Sequence, residues 1–301
     1  CTTASGSLID LASASTQTKA FTAPSAGTYS YKITSIDTAT NSTVSSCSSA
    51  MVIDNTAPNA ATPLSWTETS PYNSLSVNAS WTKSNSSDLS NQKIQFYADD
   101  TCTTASGSLI DLASASLQTR ALTAPSAGTY TYKITSFDAA GNSALSGCSS
   151  AMVIDTSAPN AATALSWSEL TPSASLNVTA SWTKSNSSDL GNQKIQFYSD
   201  GTCTTASGSL IDLASASAQT KAFTAPSAGT YTYIITSFDT AGNSTPSTCS
   251  GAMVIDTTPP SAATALSWTQ TSPYNNVNVT ASWTKSASSD LGNQKIQFFA
   301  D

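Results

Sequence analysis

The chain has 301 residues, of which only 10% are charged and none is histidine, and its formal net charge is −7. An acidic balance excludes nucleic-acid binding, which needs a basic footprint, and no apolar run approaches the roughly 18 residues of a membrane span. Ser, Thr and Ala fill much of the chain, yet Trp, Tyr, Phe, Ile, Leu and Val recur in ordered positions, which a disordered chain would lack.

The positions recur because the chain repeats itself with a period of 101 residues. Cys1, Cys102 and Cys203 head successive copies, Cys47, Cys148 and Cys249 follow, and Trp66, Trp167 and Trp268 are echoed by Trp81, Trp182 and Trp283. A tandem array favours reach, spacing or multivalency over catalysis. The turn signal Asp54-Asn55-Thr56-Ala57-Pro58 returns at 155–159 and 256–260 and divides the chain. Residues 1–57 form the C-terminal part of a repeat, 58–158 and 159–259 are complete repeats, and 260–301 form the N-terminal part of another. A module of about 100 residues can bury its own core. The two partial repeats are expected to continue into further copies of one long polypeptide. The alternative is a head-to-tail filament in which the tail of one chain completes the head of the next by strand complementation.

In chain order, the first 57 residues are expected to hold strands C′, E, F and G. The first complete copy then reads A (64–68), B (75–83), C (92–99), C′ (109–113), E (119–123), F (129–138) and G (143–154). The second complete copy repeats these, and 260–301 supply A, B and C. The pattern is plainest in strand B, where Leu176, Val178, Ala180 and Trp182 share one face while Asn177, Thr179 and Ser181 share the other. Leu75, Val77, Ala79 and Trp81 do the same, as do Val277, Val279, Ala281 and Trp283. Residues 93–97 and 129–135 are β-branched and aromatic, and Ala139-Ala140-Gly141-Asn142 marks a turn. No stretch combines helical spacing with caps, so the fold class is all-β, a sandwich per repeat. Trp81, Trp182 and Trp283 are expected in the cores between sheets, with Tyr132 and Tyr233. Trp66 is expected to be mainly structural, with the capping of a module junction as its other role.

Each copy carries two cysteines at one fixed separation, with neither a Cys-x-x-Cys motif nor a histidine to make a zinc site. The economical reading is a disulfide within each copy: Cys1 with Cys47, Cys102 with Cys148, Cys203 with Cys249. An oxidising, extracytoplasmic compartment follows.

The runs Ala180-Ser181-Trp182-Thr183 and Lys194-Ile195-Gln196-Phe197-Tyr198, with Tyr132-Lys133-Ile134-Thr135-Ser136-Phe137-Asp138-Ala139-Ala140-Gly141-Asn142-Ser143, resemble the fibronectin type III-like and Ig-like modules of bacterial surface proteins. The likeness covers essentially the whole chain. It implies seven-stranded sandwiches arranged end to end as a rod, and an extracellular or cell-surface location in a bacterium. The paired cysteines depart from the family pattern, and no Arg-Gly-Asp tripeptide is present.

In such a sandwich the first linker, the B–C loop and the F–G loop share one pole, which brings Asp54, Asp88 and Asp138 together, and Asp155, Asp189 and Asp239 in the next copy. Converging hard oxygen donors suit Ca²⁺, which would stiffen the junction. The plain alternative is that each Asp hydrogen-bonds its own turn. An enzyme is hard to build here: glutamate occurs only at Glu68 and Glu169, and neither a Gly-x-Ser-x-Gly nor a phosphate-binding loop is present. Lys83 and Lys184 lack a consistent glutamate to assist an isopeptide bond. The residues therefore point to a structural stalk or fibre segment of an adhesin-like surface protein, whose partners are neighbouring repeats. The alternative is a multivalent module for a cell-surface glycan or protein. Peptide mapping under non-reducing conditions is expected to recover the three within-copy disulfides, whereas a Cys47–Cys102 link or free thiols would refute the pairing.

Overall fold

The computed structural model describes residues 1–300, and among them the chain is built of strands and turns with no helix. It divides into two compact units, Cys1–Ser157 with Ala241–Asn243, and Ala158–Thr240 with Ser244 onward.

In the first unit, residues 1–57 contribute β1 (Gly27–Tyr29), β2 (Thr34–Ile36), β3 (Ser42–Val44) and β4 (Met51–Ile53), with β1 paired to β4 and β2 to β3. A complete sandwich follows: β5 (Leu64–Trp66), β6 (Ser76–Trp81), β7 (Leu89–Tyr97), β8 (Ile110–Asp111), β9 (Thr119–Thr123), β10 (Gly128–Asp138), β11 (Ser143–Leu145) and β12 (Met152–Ile154). One sheet runs β5-β6-β9 and the other β11-β10-β7-β8, with β12 also on β10, all antiparallel. Alternation places Val77, Ala79 and Trp81 of β6 inward, facing Ile94 and Phe96 of β7 and Tyr132 and Ile134 of β10.

The strand expected at 143–154 is divided between β11 and β12; between them Ser146 and Ser149 still donate their N–H groups to the Ile134 and Tyr132 carbonyls of β10, and Cys148 is joined to Cys102. The β10 amides facing that gap keep partners through serine hydroxyls. Ser149 Oγ accepts the Tyr132 N–H and Ser146 Oγ the Ile134 N–H, at 3.0 and 2.9 Å. Side-chain oxygens thus replace carbonyls in a ladder whose buried donors cannot be left bare.

Polar tips inside the sandwich are matched across the core. Tyr132 projects from β10 into the opposite sheet, where its hydroxyl accepts the Ser65 N–H (3.0 Å) and donates towards the Ser65 and Ser80 carbonyls (2.7 and 2.5 Å). Ser65 and Ser80 are register partners between β5 and β6, so the phenol is seated inside that ladder. Burial, against the hydrogen bonds to Ser65 and Ser80, pushes the Tyr132 hydroxyl up to about 12. The Trp81 indole donates to Gln92 Oε1 at 2.9 Å, and Gln92 Nε2 donates to the Ala115 and Leu117 carbonyls at 3.1 and 3.0 Å. The half-buried Trp66 ring packs edge-on to Tyr132 at 5.0 Å and donates its indole N–H to the Ser150 carbonyl.

The second unit repeats this plan with β13 (Thr163–Trp167), β14 (Asn177–Thr183), β15 (Leu190–Tyr198), β16 (Ile211–Asp212), β17 (Thr220–Thr224), β18 (Gly229–Asp239), β19 (Ser244–Pro246) and β20 (Met253–Ile255). Trp182 is buried and donates to Gln193, and the Tyr233 hydroxyl donates towards the Ser166 and Ser181 carbonyls. One packing difference stands out: Phe223 stacks on Phe197 at 4.3 Å, whereas its counterpart Leu122 leaves a groove of about 480 Å³ bordered by Phe96, Ile110 and Pro125.

The partial repeats depart from expectation. In residues 1–57 no strand forms at the C′ or E positions, and among the described residues of the last part, 260–300, only β21 (Thr264–Trp268) and β22 (Ala281–Thr284) form, with no strand at 294–300 where strand C was expected. Trp283, expected in a core, is 42% exposed. The physical reason is shared: these strands form against partner strands and an opposing sheet, and the described residues place neither beside them. Replacing Tyr132 by Phe is expected to cost about 1–3 kcal/mol, because the Ser65 amide and Ser80 carbonyl lose their buried partner. Urea unfolding of the variant measures this, and an unchanged midpoint would refute the cross-core role.

Candidate functional site

Two acidic features lie at loops of the complete sandwich in the first unit. The first is the pole where Asp54, Asp88 and Asp138 meet, each offering a carboxylate oxygen within 4.8 Å of the others. Asp138 is the last inward residue of β10 and is buried. Its carboxylate accepts the Asn142 backbone N–H and the Asn142 side-chain amide, both at 2.8 Å. Burial opposes its ionisation, but the hydrogen bonds from Asn142, Gly141 and Ala140 outweigh it and hold Asp138 below the usual carboxylate range. The Asn142 amide also donates to the Asp54 carbonyl at 3.1 Å, while the Asp54 side chain caps the Thr56 N–H at 3.0 Å. Asp88 is exposed. Neither of the ion pairs among the described residues, Lys93 with Asp111 and Lys194 with Asp212, involves these carboxylates.

The donor set fits a hard divalent cation in kind, since every donor is oxygen. It supplies three of the 6–8 ligands that Ca²⁺ takes, so backbone carbonyls and water must complete the shell. The turn-forming role is present too, because Asp54 and Asp138 each already hold local amides. In the repeat pattern Asp155 corresponds to Asp54, Asp189 to Asp88 and Asp239 to Asp138; Asp239 is buried at the end of β18. Asp256, which opens the third turn signal, and Asp290 are the next counterparts of Asp54 and Asp88. The Thr258 amide and then the Asp290 side chain hold Asp256 below its ordinary value.

The second feature is Asp99, which sequence reasoning missed. Cys102 adopts the left-handed conformation at φ 58°, costly for a residue with a side chain. Asp99 organises the loop around it by accepting the N–H groups of Thr101 (2.9 Å), Thr103 (3.1 Å) and Thr104, with the Thr103 hydroxyl at 2.8 Å. The Asp99 carbonyl in turn accepts the Thr131 hydroxyl of β10 at 2.9 Å. Burial resists ionisation here, but the Thr103 and Thr104 hydrogen bonds prevail and hold Asp99 far below the carboxylate range. Asp200 does the same around Cys203, at φ 57°. The signal was legible as Asp-x-Thr-Cys-Thr-Thr at 99–104 and 200–205. With the loop so held, Cys102–Cys148 and Cys203–Cys249 close across Cα separations of 5.9 Å, and Cys1–Cys47 across 6.1 Å.

No family model matches the chain, and no curated protein matches it. Among solved structures, it is similar to the FN1–FN3 domains of chicken CNTN1, 16% identical over 76% of this chain and 77% of that chain with a TM-score of 0.42. It is also similar to the fibronectin(III)-like modules of Clostridium thermocellum CbhA, 14% identical over 64% of this chain and 93% of that one with a TM-score of 0.36. The strand order itself, β5-β6-β9 against β8-β7-β10-β11, is that of an all-β antiparallel sandwich, and the chain carries that sandwich in tandem copies.

The lowered carboxylates make stability depend on pH. A group whose folded pKa is depressed stabilises above its unfolded value, near 3.9, and that contribution is lost as pH falls through the folded value. The double variant Asp99→Asn, Asp200→Asn is therefore expected to unfold at lower urea than the parent at pH 7, with the gap closing below about pH 4. A gap that stays constant from pH 7 to pH 3 would show that the carboxylate charge does not matter.

Proposed function

We propose that this chain is a structural stalk or fibre segment of a long extracellular repeat protein, spacing an adhesive or effector region from a bacterial cell surface. The observation that carries the reading is the sameness of the two complete copies where it serves strength. Both seat a core tyrosine in the opposite sheet, satisfy a core tryptophan with a buried glutamine, and close one disulfide around an aspartate-held loop. Duplicating a mechanically complete module adds length without adding chemistry. The disulfides accord with an extracytoplasmic setting.

In the same reading Asp54, Asp88 and Asp138 take a calcium ion together with backbone oxygens, and Asp155, Asp189 and Asp239 are the corresponding set. Three carboxylates within 4.8 Å repel one another, and a divalent cation relieves that repulsion. The ion would restrain one module against the next while each core stays independent of it.

Small-angle scattering of the 301-residue chain, in calcium and then in excess chelator, tests both parts. A rod of roughly 100–120 Å is expected from strands of about 33 Å placed end to end, with broader, more flexible scattering after chelation. A compact particle would overturn the stalk. Identical curves in calcium and chelator would remove the ion and leave the aspartates as turn formers.

A further inference from the structure

The two complete copies differ in packing at one place, position 122. The repeat carries Phe21, Leu122 and Phe223 there, so the first complete copy has a leucine where the others have an aromatic ring. In the second copy Phe223 stacks on Phe197 at 4.3 Å and lies tilted against Tyr231 at 5.2 Å. Leu122 instead borders the groove of about 480 Å³, lined also by Phe96, the counterpart of Phe197, and by Ile110, Ala121 and Pro125. An apolar cavity of about 150 Å³ lined by Leu, Ile and Phe already admits benzene, so the space is ample for one ring.

The groove lies where both sheets end. β8 is the last strand of its sheet, paired to β7, and β9 is the last strand of the other, paired to β6. Ile110 belongs to β8, and Ala121, Leu122 and Thr123 belong to β9. An extended segment pairing with the free edge of β9 would continue the order β5-β6-β9 by one strand, and every second side chain of it would point between the sheets. An aromatic residue at such a position reaches Phe96 from outside as Phe223 reaches Phe197 from within. Arg120 stands two residues before Leu122 on the same face of β9, exposed and outside both ion pairs among the described residues. On a segment running antiparallel to β9, as the strands of this sheet run to one another, a carboxylate two positions after the aromatic residue would meet it.

We propose that this groove of the first complete copy is a docking site for an extended peptide segment of a partner protein. The segment pairs with β9, seats an aromatic side chain on Phe96 and sets a carboxylate against Arg120. The second copy closes the same place with its own Phe223. Docking here adds recognition to one module and holds whether or not the chain serves as a stalk. The plain alternative is a solvent-filled dent left by a leucine in place of a phenylalanine, which predicts no binding.

Methyl NMR on the full chain, titrated with the peptide acetyl-Thr-Phe-Thr-Glu-Thr-amide, separates the two. The Ile110 and Leu122 methyl signals are expected to shift with a dissociation constant of millimolar order, as one seated ring and a short edge pairing give, while Ile211, the counterpart of Ile110, stays unmoved. Leu122→Phe should weaken binding by about tenfold or more by filling the groove, and Phe223→Leu should open a second site, so that Ile211 then shifts as well. Each substitution installs the residue that the other copy carries, so both suit the fold. Alanine in place of the peptide's phenylalanine should abolish the shifts. No shift with the peptide, binding unchanged by Leu122→Phe, or shifts with toluene but not with the peptide would each overturn the proposal, the last by showing a site for small aromatic molecules only.

Discussion

A tyrosine hydroxyl held in a protein core must find partners there, and in this protein the partners belong to the facing sheet. Tyr132 stands on β10 and is bonded within the β5–β6 ladder; Tyr233 does the same from β18. One side chain therefore fixes the spacing and the register of two sheets at once. A hydrophobic core alone tolerates sliding, because apolar contact has little direction. A hydrogen bond between N–H, hydroxyl and C=O does not, since an offset of one residue would leave buried groups unpaired.

The remaining polar features extend this logic outward. Gln92 answers the indole of Trp81 on one side and loop carbonyls on the other, tying the inner strands to the connection before β9. Ser146 and Ser149 hold the segment between β11 and β12 against β10 through both their N–H groups and their hydroxyls, on either side of the Cys148 that is joined to Cys102. Asp99 holds Cys102 in its left-handed conformation from the other side. The disulfide is thus one end of a continuous polar scaffold that starts at the tyrosine, with Thr131 and Asp99 as its links.

The same residues behave differently where the facing sheet is missing. Tyr31 and Trp283 occupy the sequence positions of Tyr132 and Trp81, yet both are exposed. The disulfide Cys1–Cys47 nevertheless closes, because it joins segments that belong to one half of the sandwich. In residues 1–57 the disulfide and the local pairs β1–β4 and β2–β3 are present, whereas Tyr31 and Met51 lie exposed.

Much was therefore legible in the chain itself. Period-2 alternation marked the strands at 75–83, 92–99 and 129–138, because a strand's faces differ in every copy, and the cysteine spacing marked the pairs because repetition leaves few alternatives. The meeting of Asp54, Asp88 and Asp138 was legible too, since loops at one pole of a sandwich are neighbours whatever their sequence. What each carboxylate does there was not, for Asn142 bonds both Asp138 and Asp54 in a geometry that no spacing conveys. Nor did the sequence distinguish Tyr31 from Tyr132, or reveal that 143–154 divides into two strands with serine hydroxyls bonding β10 between them. Sequence patterns record which face a residue prefers, whereas burial and strand pairing depend on a partner surface being present, and only the tertiary structure decides that.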